Sequence, residues 1–393
     1  MKKRLLYYDL VKYLNHKNAL VITGMRQVGK TTLMRQVFEE VKEPKLWFDF
    51  DNPLDQKVFE DEDYKVIYKR LTDMGKKADK ISVFIDEIQN FPEITKVIKY
   101  LIDHHRVKFY LTGSSNFYLK NLFPESLSGR KFLYELPPLG FQEYLYFTDK
   151  LSLKEVLNFT LQSAIKKNSI FLHKAREAEY EDFLNFGGFP EVVTTEDKDT
   201  KIMVLKNIFA SFFEKDIKIL SDYSDIRELR DMILLLVPRV GSMLDVTRLS
   251  SELSLDRVKI YRFLEFLQGT FFIRLLPRFS KSIDRAVAGG KKVYFTDTGL
   301  LNVIGKVSEA QVFENAVINQ LALFDKVSFL NIRNTAEIDA ILDKHTAFEV
   351  KLTGTQQDLS KLSALSSDLG ISQSFVISKK FQPKVGFLSP VVL

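Results

Sequence analysis

The chain has 393 residues, of which 45% are hydrophobic and 27% charged, with a net charge of +6 and no cysteine. This balance excludes a disordered chain and predicts a globular protein of roughly two to four domains. The lack of cysteine excludes disulfides and thiolate metal sites. A mild positive charge permits binding to a polyanion without requiring it. No apolar run approaches the roughly 18 residues of a membrane span, so we expect a cytoplasmic protein with no membrane partner.

The first 140 residues alternate between short apolar runs and helical patterns. The N-terminal residues 1–18 are predicted to form an amphipathic helix, because Asp9, Lys12 and His16 interrupt any signal-peptide core. Short runs rich in β-branched and aromatic residues are typical of buried strands, and they cover residues 18–24, 45–50, 81–88, 107–115 and 131–136. The alternation predicts an α/β domain with a parallel sheet covered on both faces.

The pattern changes beyond residue 140. Residues 141–225 are predicted to be helical, with a break at Gly187, Gly188 and Pro190. Two short helices and a strand are expected next, and the remaining stretch mixes a helix with several strands. We therefore expect four parts, comprising residues 1–140, 141–225, 226–287 and 288–393.

The sequence GMRQVGKT at residues 24–31 fits the phosphate-loop pattern G-x-x-x-x-G-K-[ST]. It follows a predicted strand and opens a helix, so backbone N–H groups and the helix N-terminus can converge on phosphates. Gly24 and Gly29 allow close approach of the backbone. Lys30 should reach the β- and γ-phosphates of ATP, and the Thr31 hydroxyl should ligate Mg²⁺. The other predicted nucleotide contacts are the neighbouring positions Gln27, Val28 and Thr32.

The sequence FIDEI at residues 84–88 places two acidic residues, Asp86 and Glu87, at the end of an apolar strand. Asp86 is predicted to hold Mg²⁺ through water, and Glu87 to polarise the attacking water, which favours hydrolysis over simple nucleotide holding. The next predicted strand ends in hydroxyl groups, and Ser114 or Ser115 could sense the γ-phosphate. The alternative for either serine alone is an ordinary polar turn.

These motifs resemble one widespread prokaryotic family of P-loop ATPases of the AAA class. The resemblance rests on GMRQVGKTTL, DEIQN, LTGSS, SLSGR, PPLGFQEYL and FGGFPEVV. It implies a sheet with an extra central strand, ATP and Mg²⁺ as ligands, and a C-terminal domain related to PD-(D/E)xK nucleases. Arg130 in SLSGR resembles a sensor arginine or one that acts on a neighbouring subunit, which makes a homo-oligomer plausible. The alternative is a surface arginine.

Residues 244–275 predict a winged helix that binds DNA. Asp256 is predicted to cap the second helix. Lys259 and Arg262 are expected to face DNA, within residues 247–285 that hold eight basic and four acidic side chains, a net of +4. The alternative is a module that packs between domains. The predicted core stripe of the second helix is Val258, Ile260, Phe263, Leu264 and Leu267.

The segment DAILDKHTAFEVKL at residues 339–352 predicts a hairpin, with Glu349 and Lys351 on one face of its second strand. Asp339 lies on the first strand, and Glu314 on an upstream helix. This order resembles the PD-(D/E)xK core, which implies that Asp339, Glu349 and Glu314 bind Mg²⁺. Lys351 would orient the attacking water or stabilise the phosphorane charge. The alternatives are an ion-pair network on a nuclease-like fold and, for Glu314 alone, a solvated helix face.

The sequence therefore predicts an ATP-hydrolysing protein that acts on DNA, with nucleotide state gating a winged helix and a nuclease-like domain. The alternative is a non-nucleolytic signalling or regulatory ATPase whose C-terminal domain binds a partner. A kinase is disfavoured, because Glu87 is placed to activate water and no separate acceptor-binding signature is visible.

Overall fold

The computed structural model describes residues 2–76, 80–114, 129–216, 223–280, 289–332 and 336–393. The chain divides into two compact units, one of residues 1–137 and 265–271 and one of residues 138–264 and 272–393. The first division lies close to the predicted boundary near 140, whereas the boundaries near 225 and 288 stay predictions. Predicted positions outside the described residues are Ser115, residues 126–128 of SLSGR, and Lys281 and Arg285 of the basic segment.

The first unit is built on a five-stranded parallel sheet with the strand order β2-β3-β4-β1-β5. All four neighbouring pairs of strands run parallel. Strand β4 lies between β1 and β3, as the resemblance implied, and the predicted α/β class is confirmed. The strands are β1 (Ala19–Thr23), β2 (Lys45–Asp49), β3 (Ser82–Asp86), β4 (Lys108–Gly113) and β5 (Lys131–Glu135).

Helices cover this sheet, and its central strands are apolar throughout because neither face meets water. Val21, Val83 and Leu111, one from each central strand, are fully buried in one core cluster. The N-terminal segment is helical, as predicted, although its α-helix is short. The helices are α1 (Leu5–Leu10), α2 (Lys30–Glu40), α3 (Pro53–Lys57), α4 (Tyr64–Met74) and α5 (Ile94–His105).

The second unit begins with a helical stretch, as the sequence predicted. Its break occurs at Gly187, which ends a long helix with φ 74, and Pro190 begins the next one. The helices are α6 (Phe141–Phe147), α7 (Leu153–Leu157), α8 (Leu161–Lys167), α9 (Ile170–Phe186), α10 (Pro190–Thr194) and α11 (Lys198–Ser211). In the part of the chain that the structure describes, no helix has the length and hydropathy needed to cross a bilayer.

Three further helices precede a two-stranded antiparallel hairpin, in which Leu275 pairs with Val293. Asp256 accepts a hydrogen bond from the Lys259 N–H at 2.9 Å, so the predicted cap is confirmed. The elements are α12 (Tyr223–Leu236), α13 (Val246–Leu253), α14 (Arg257–Gly269), β6 (Ile273–Pro277) and β7 (Lys291–Phe295).

A second five-stranded sheet, with the order β12-β11-β10-β9-β8, forms the C-terminal part of this unit. Strands β8, β9 and β10 are antiparallel, whereas β10, β11 and β12 are parallel. The strands are β8 (Val327–Ile332), β9 (Ala336–Leu342), β10 (Thr346–Lys351), β11 (Gln373–Ser378) and β12 (Phe387–Leu388). The accompanying helices are α15 (Thr298–Ile304), α16 (Glu309–Leu321) and α17 (Gln356–Leu369). The hairpin predicted at residues 339–352 is confirmed as β9 and β10.

Candidate functional site

The predicted phosphate loop joins β1 to α2 in the first unit. Gly24 has a φ of 152°, and a Cβ at this position would lie 2.2 Å from the carbonyl oxygen of Leu136, so only glycine fits there. Gly29 has a φ of 94° and forms the N-cap of α2. Between them Gln27 has a φ of 62°, and Val28 is fully buried. The loop backbone therefore has the special conformation that close approach to a phosphate requires.

Lys30 is the first residue of α2, and its side chain points back into the loop. Its Nζ donates to the carbonyl oxygens of Gly24 and Met25, each at 2.9 Å, and the residue is only 5% exposed. The ammonium thus lies beside the helix N-terminus, where backbone N–H groups favour an anion. Thr32 lies in the same helical turn with an exposed side chain.

Thr31 and Asp86 meet at the carboxyl edge of the parallel sheet. The Asp86 carboxylate accepts hydrogen bonds from the hydroxyls of Thr31 and Thr112. Asp86 is 4% exposed, and burial raises its pKa, although the two hydroxyl bonds act in the opposite direction. A hydroxyl and a buried carboxylate are both oxygen donors of the kind Mg²⁺ takes, so these residues fit the predicted ion.

Glu87 follows Asp86 in a left-handed conformation with a φ of 53°, and its N–H donates to the Thr112 hydroxyl oxygen at 3.1 Å. The Glu87 carboxylate accepts a hydrogen bond from Nε2 of Gln89. The same amide nitrogen donates to Oγ of Ser114 at 3.0 Å, and Oε1 of Gln89 accepts from the Ser114 N–H at 3.4 Å. Gln89 thus connects the predicted water-activating glutamate to the predicted γ-phosphate sensor.

Arg130 lies at the amino-terminal ends of the strands of this sheet, opposite the phosphate loop. Its Nε donates to Oδ1 of Asp103 at 2.6 Å, near the end of α5, and its carbonyl accepts from the Ala19 N–H at 2.8 Å, at the start of β1. The phosphate loop follows the carboxyl-terminal end of β1, whereas Arg130 lies beside the amino-terminal end of the same strand. The expectation that Arg130 contacts the nucleotide of its own chain is therefore corrected, and a role toward a neighbouring chain stays a prediction.

The two basic residues predicted to face DNA form ion pairs with α12. Nζ of Lys259 lies 2.7 Å from Oδ1 of Asp225 and also pairs with Glu228. Nη2 of Arg262 lies 3.1 Å from Oδ2 of Asp225, while 56% of the Arg262 side chain remains exposed. The expectation of an unengaged basic face is corrected for Lys259, because its charge is balanced by two carboxylates of its own chain.

Other side chains of α14 face the solvent. Val258 is 77% exposed and Tyr261 60% exposed, and Arg257 is exposed beside them. The prediction that Val258 is a core residue is wrong, because it is turned by roughly 200° from Ile260 at about 100° per residue. The buried stripe consists of positions at helical spacing, which are Ile260, Phe263, Leu264 and Leu267.

The hairpin of β9 and β10 brings together the predicted residues of the second site. Nζ of Lys351 lies 2.7 Å from Oε1 of Glu349 on the same face of β10. Oδ2 of Asp339 accepts from the Val350 N–H at 2.9 Å. Burial and the charge of Asp339 raise the pKa of Glu349 to about 7, against the opposing influence of Lys351.

A lysine that the sequence patterns did not single out lies among these carboxylates. Nζ of Lys292, on β7, is 2.6 Å from Oε1 of Glu337 and 3.8 Å from both Oε1 of Glu314 and Oδ1 of Asp339. Only 5% of the Lys292 side chain is exposed. Glu314 also accepts a hydrogen bond from the Tyr294 hydroxyl at 2.7 Å.

This arrangement does not fit a bound Mg²⁺. The ion requires about six oxygen ligands in near-octahedral geometry, but ammonium groups lie against the carboxylates instead. Among the residues described by the structure, no three His, Asp or Glu side chains are grouped so that they could hold a metal. The described residues therefore do not support the Mg²⁺ site predicted at Glu314, Asp339 and Glu349.

The sequence patterns indicated neither Gln89, which contacts Glu87 and Ser114, nor Lys292, which contacts Glu337. Gln89 lies within the DEIQN motif, but a glutamine after a strand has no defined chemistry of its own. The run KKVYF at residues 291–295 did carry a signal. Strand alternation places Lys291 and Lys292 on opposite faces, so one of the two had to face inward on a half-buried strand.

Two protein-family models match separate parts of the chain. A family model described as an AAA domain (AAA_14) matches residues 16–145, which contain the phosphate loop and strands β1 to β5. A second model, described as a domain of unknown function (DUF8612), matches residues 177–311. The second match assigns no chemistry to its region, and the nuclease-like fold stays a prediction.

Several curated proteins are similar over most of the chain. The uncharacterized protein MJ1544 of Methanocaldococcus jannaschii is 27% identical over 313 residues, covering 77% of this chain and 66% of that protein. An uncharacterized protein of Haemophilus influenzae is 25% identical, covering 80% of this chain and 76% of its own length. The uncharacterized protein Rv2008c of Mycobacterium tuberculosis is 23% identical, with shares of 94% and 78%. The chain thus spans about two thirds of the first of these relatives.

Solved structures also align with the chain. The Walker-type ATPase PABY2304 of Pyrococcus abyssi aligns with a TM-score of 0.48 and 15% identity, covering 76% of this chain and 94% of that one. The ORC1 protein of Aeropyrum pernix in complex with DNA aligns with a TM-score of 0.32 and 13% identity, with shares of 76% and 90%. The AAA domain model thus matches the residues that form the phosphate loop and the parallel sheet, and the loop has the backbone conformation that phosphate binding requires.

Proposed function

We propose that this chain hydrolyses ATP with Mg²⁺ at the phosphate loop and binds DNA through the solvent face of α14. One observation carries the first part. The Thr31 hydroxyl donates to the buried Asp86 carboxylate, and Lys30, the residue before Thr31, points its ammonium back into the phosphate loop. These residues come from the loop after β1 and from the end of β3, and together they supply the donors that a magnesium–triphosphate complex needs.

Each residue of the site has a defined part in the proposed reaction. Mg²⁺, when bound by Thr31 and Asp86, neutralises charge on the phosphates. Lys30 exchanges its loop carbonyls for the β- and γ-phosphates, and Ser114 donates a hydrogen bond to the γ-phosphate. Glu87 accepts a proton from water as the water oxygen bonds to the γ-phosphorus, and the bond to the departing ADP oxygen breaks.

The variant Glu87→Gln tests this assignment. It keeps the shape of the side chain but removes the proton acceptor, so ATP turnover should fall by about 100-fold or more. Binding of a fluorescent ATP analogue should stay within about threefold, because uniform binding does not depend on the base. The matched control is Glu93→Gln, an exposed glutamate shortly after Glu87. Full turnover in Glu87→Gln would contradict the proposal.

DNA binding is a second candidate function, supported by the exposed face of α14. Helices α12, α13 and α14 followed by the β6–β7 hairpin have the element order of a winged helix. Arg257 and Arg262 offer guanidinium groups to phosphates, and Tyr261 with Val258 offers contact area for base edges.

Fluorescence anisotropy with duplex DNA tests this face across a range of salt concentrations. Removing Arg257 and Arg262 together should weaken binding and reduce the slope of log K against log salt by about one per arginine. The Tyr261→Ala variant should weaken binding while leaving that slope unchanged, because it removes no charge. Lys154→Ala, which removes an exposed cation on α7, is the control. Unchanged affinity in both α14 variants would contradict DNA binding at this face.

We do not extend the proposal to strand cleavage. The carboxylates of the predicted nuclease-type site are balanced by Lys292 and Lys351, which favours the regulatory alternative for the C-terminal residues. Plasmid nicking by the purified protein with Mg²⁺ or Mn²⁺ would contradict this reading if it is lost in Asp339→Ala and kept in Lys30→Ala.

A further inference from the structure

The four residues Lys292, Glu314, Glu337 and Asp339, here called the Lys292 cluster, share one centre. That centre is Nζ of Lys292, which has a carboxylate oxygen at 2.6 Å and two more at 3.8 Å. The carboxylates come from two elements, α16 and β9, and the lysine from a third, β7. Residues this far apart in the chain are brought to one point only by the fold.

The position of Lys292 is determined by its strand. Lys292 pairs with Leu276 of β6 and forms a bridge with Met243 on its other side. The neighbouring Lys291 is exposed, whereas the Lys292 ammonium is enclosed and lies 5.4 Å from the ring centre of Phe329. An enclosed ammonium with charged partners is held in place far more firmly than a surface lysine.

The charges of the cluster are unequal. Three carboxylates lie near one ammonium, so removing the lysine charge would leave a net negative cluster that attracts a cation. A divalent ion at the same centre would lie beside the lysine, and two cations in an enclosed site repel each other strongly. Only one of them can occupy the centre.

We propose that Lys292 is the resident cation of the Lys292 cluster and that it excludes divalent ions from Glu314 and Asp339. The ammonium of Lys292 pairs with Glu314, Glu337 and Asp339 and thereby takes the place of a metal ion among them. This role is independent of ATP hydrolysis, because the cluster belongs to the second unit and the proposal is tested without nucleotide.

Mn²⁺ binding to the full chain, followed by electron paramagnetic resonance without nucleotide, tests this role. Lys292→Met should gain a Mn²⁺ site at least about tenfold tighter than any that the parent has at this cluster, because a like charge is removed. Lys291→Met, the exposed neighbour on the same strand, should behave as the parent does. Adding Asp339→Asn to Lys292→Met should abolish the new site.

Three outcomes would overturn the proposal. Equal Mn²⁺ binding by the parent and Lys292→Met would show that the lysine excludes nothing, and a new site that survives Asp339→Asn would lie elsewhere. Circular dichroism verifies folding. If Lys292→Met does not fold, Lys292→Gln, which keeps a donor to Glu337, takes its place in the comparison. In the parent, Asp339→Asn alone should leave Mn²⁺ binding unchanged, and a loss would show that an ion already binds beside Lys292.

Discussion

The side-chain amide of Gln89 bonds to both the Glu87 carboxylate and the Ser114 hydroxyl. Glu87 is the proposed proton acceptor, and Ser114 the proposed contact to the γ-phosphate. Because one amide joins them, a change at the phosphate can alter the orientation of the carboxylate through two hydrogen bonds. We therefore propose that Gln89 positions Glu87 in the ATP site, although it touches neither water nor phosphate in the proposed reaction.

Removing this amide should reduce turnover without weakening ATP binding. We expect Gln89→Ala to lower kcat by about tenfold, because an unrestrained Glu87 spends less time in its productive orientation. In Gln89→Glu a second carboxylate repels the charge of Glu87, so the acid limb of the pH–rate profile should move to higher pH. Asn90→Ala, which removes an amide one residue further along, is the control. Wild-type kcat in both Gln89 variants would contradict the positioning role.

The Thr31 hydroxyl should determine how much Mg²⁺ the reaction needs. In Thr31→Ala the oxygen donor is lost, and the Mg²⁺ concentration for half-maximal turnover should rise by about tenfold or more. Thr31→Ser keeps the hydroxyl and should restore most of the metal dependence. A Mg²⁺ titration of ATP turnover measures this, and identical curves for Thr31→Ala and the parent would remove Thr31 from the metal site.

The parallel sheet was predictable because each of its buried strands can be recognised from a short stretch of sequence. Each buried strand of the first unit is a short apolar run, and the glycines and hydroxyls of the loop follow one of them. Strand ends of a parallel sheet meet at one edge, so the approach of Asp86 to Thr31 also followed from the pattern. The same logic, applied to where β5 begins, would have placed Arg130 at the opposite edge.

Ion pairs between distant parts of the chain were not predictable. Lys259 belongs to α14 and Asp225 to α12, and no spacing rule links the two elements. Lys292 and Glu337 likewise lie on different strands of different sheets. A charge count over residues 247–285 treats every basic side chain as solvent-exposed. It therefore could not distinguish Lys259, which is paired with carboxylates, from Arg257, which is exposed.

Lys259 should contribute to stability more than to DNA binding. Lys259→Ala leaves Asp225, whose side chain is only 10% exposed, without its nearest lysine partner. We expect the free energy of unfolding to fall by about 1–3 kcal/mol, because a largely buried carboxylate loses one of its two cationic partners and keeps only Arg262. Arg257→Ala, on the exposed face of the same helix, should change it by less than about 0.5 kcal/mol. Urea unfolding measures both, and equal stabilities would contradict the pairing.

Glu349 should make the stability of the chain depend on pH. Burial raises the pKa of Glu349 in the folded chain to about 7, above the ordinary value of 4.5. Between these two pH values the Glu349 carboxyl is therefore protonated in the folded chain and ionised in the unfolded chain. Its contribution to stability is therefore full below about pH 4.5 and is lost as the pH rises through about 7, by up to about 3 kcal/mol.

Urea unfolding at a series of pH values tests this dependence. Glu349→Gln cannot ionise, so its free energy of unfolding should fall less than that of the parent between about pH 4.5 and pH 7. Glu196→Gln, an exposed glutamate in the same unit, should follow the parent. Parallel curves for the parent and Glu349→Gln would show that Glu349 does not titrate in this range.

Steady-state ATP hydrolysis by the purified chain and by Lys30→Ala tests the central claim most directly. The enclosed ammonium of Lys30 is the group proposed to hold the β- and γ-phosphates. The account predicts Mg²⁺-dependent turnover by the parent and a loss of about 100-fold or more in Lys30→Ala, with the fold intact by circular dichroism. Undiminished turnover in Lys30→Ala, or no Mg²⁺-dependent turnover by the parent, would contradict it.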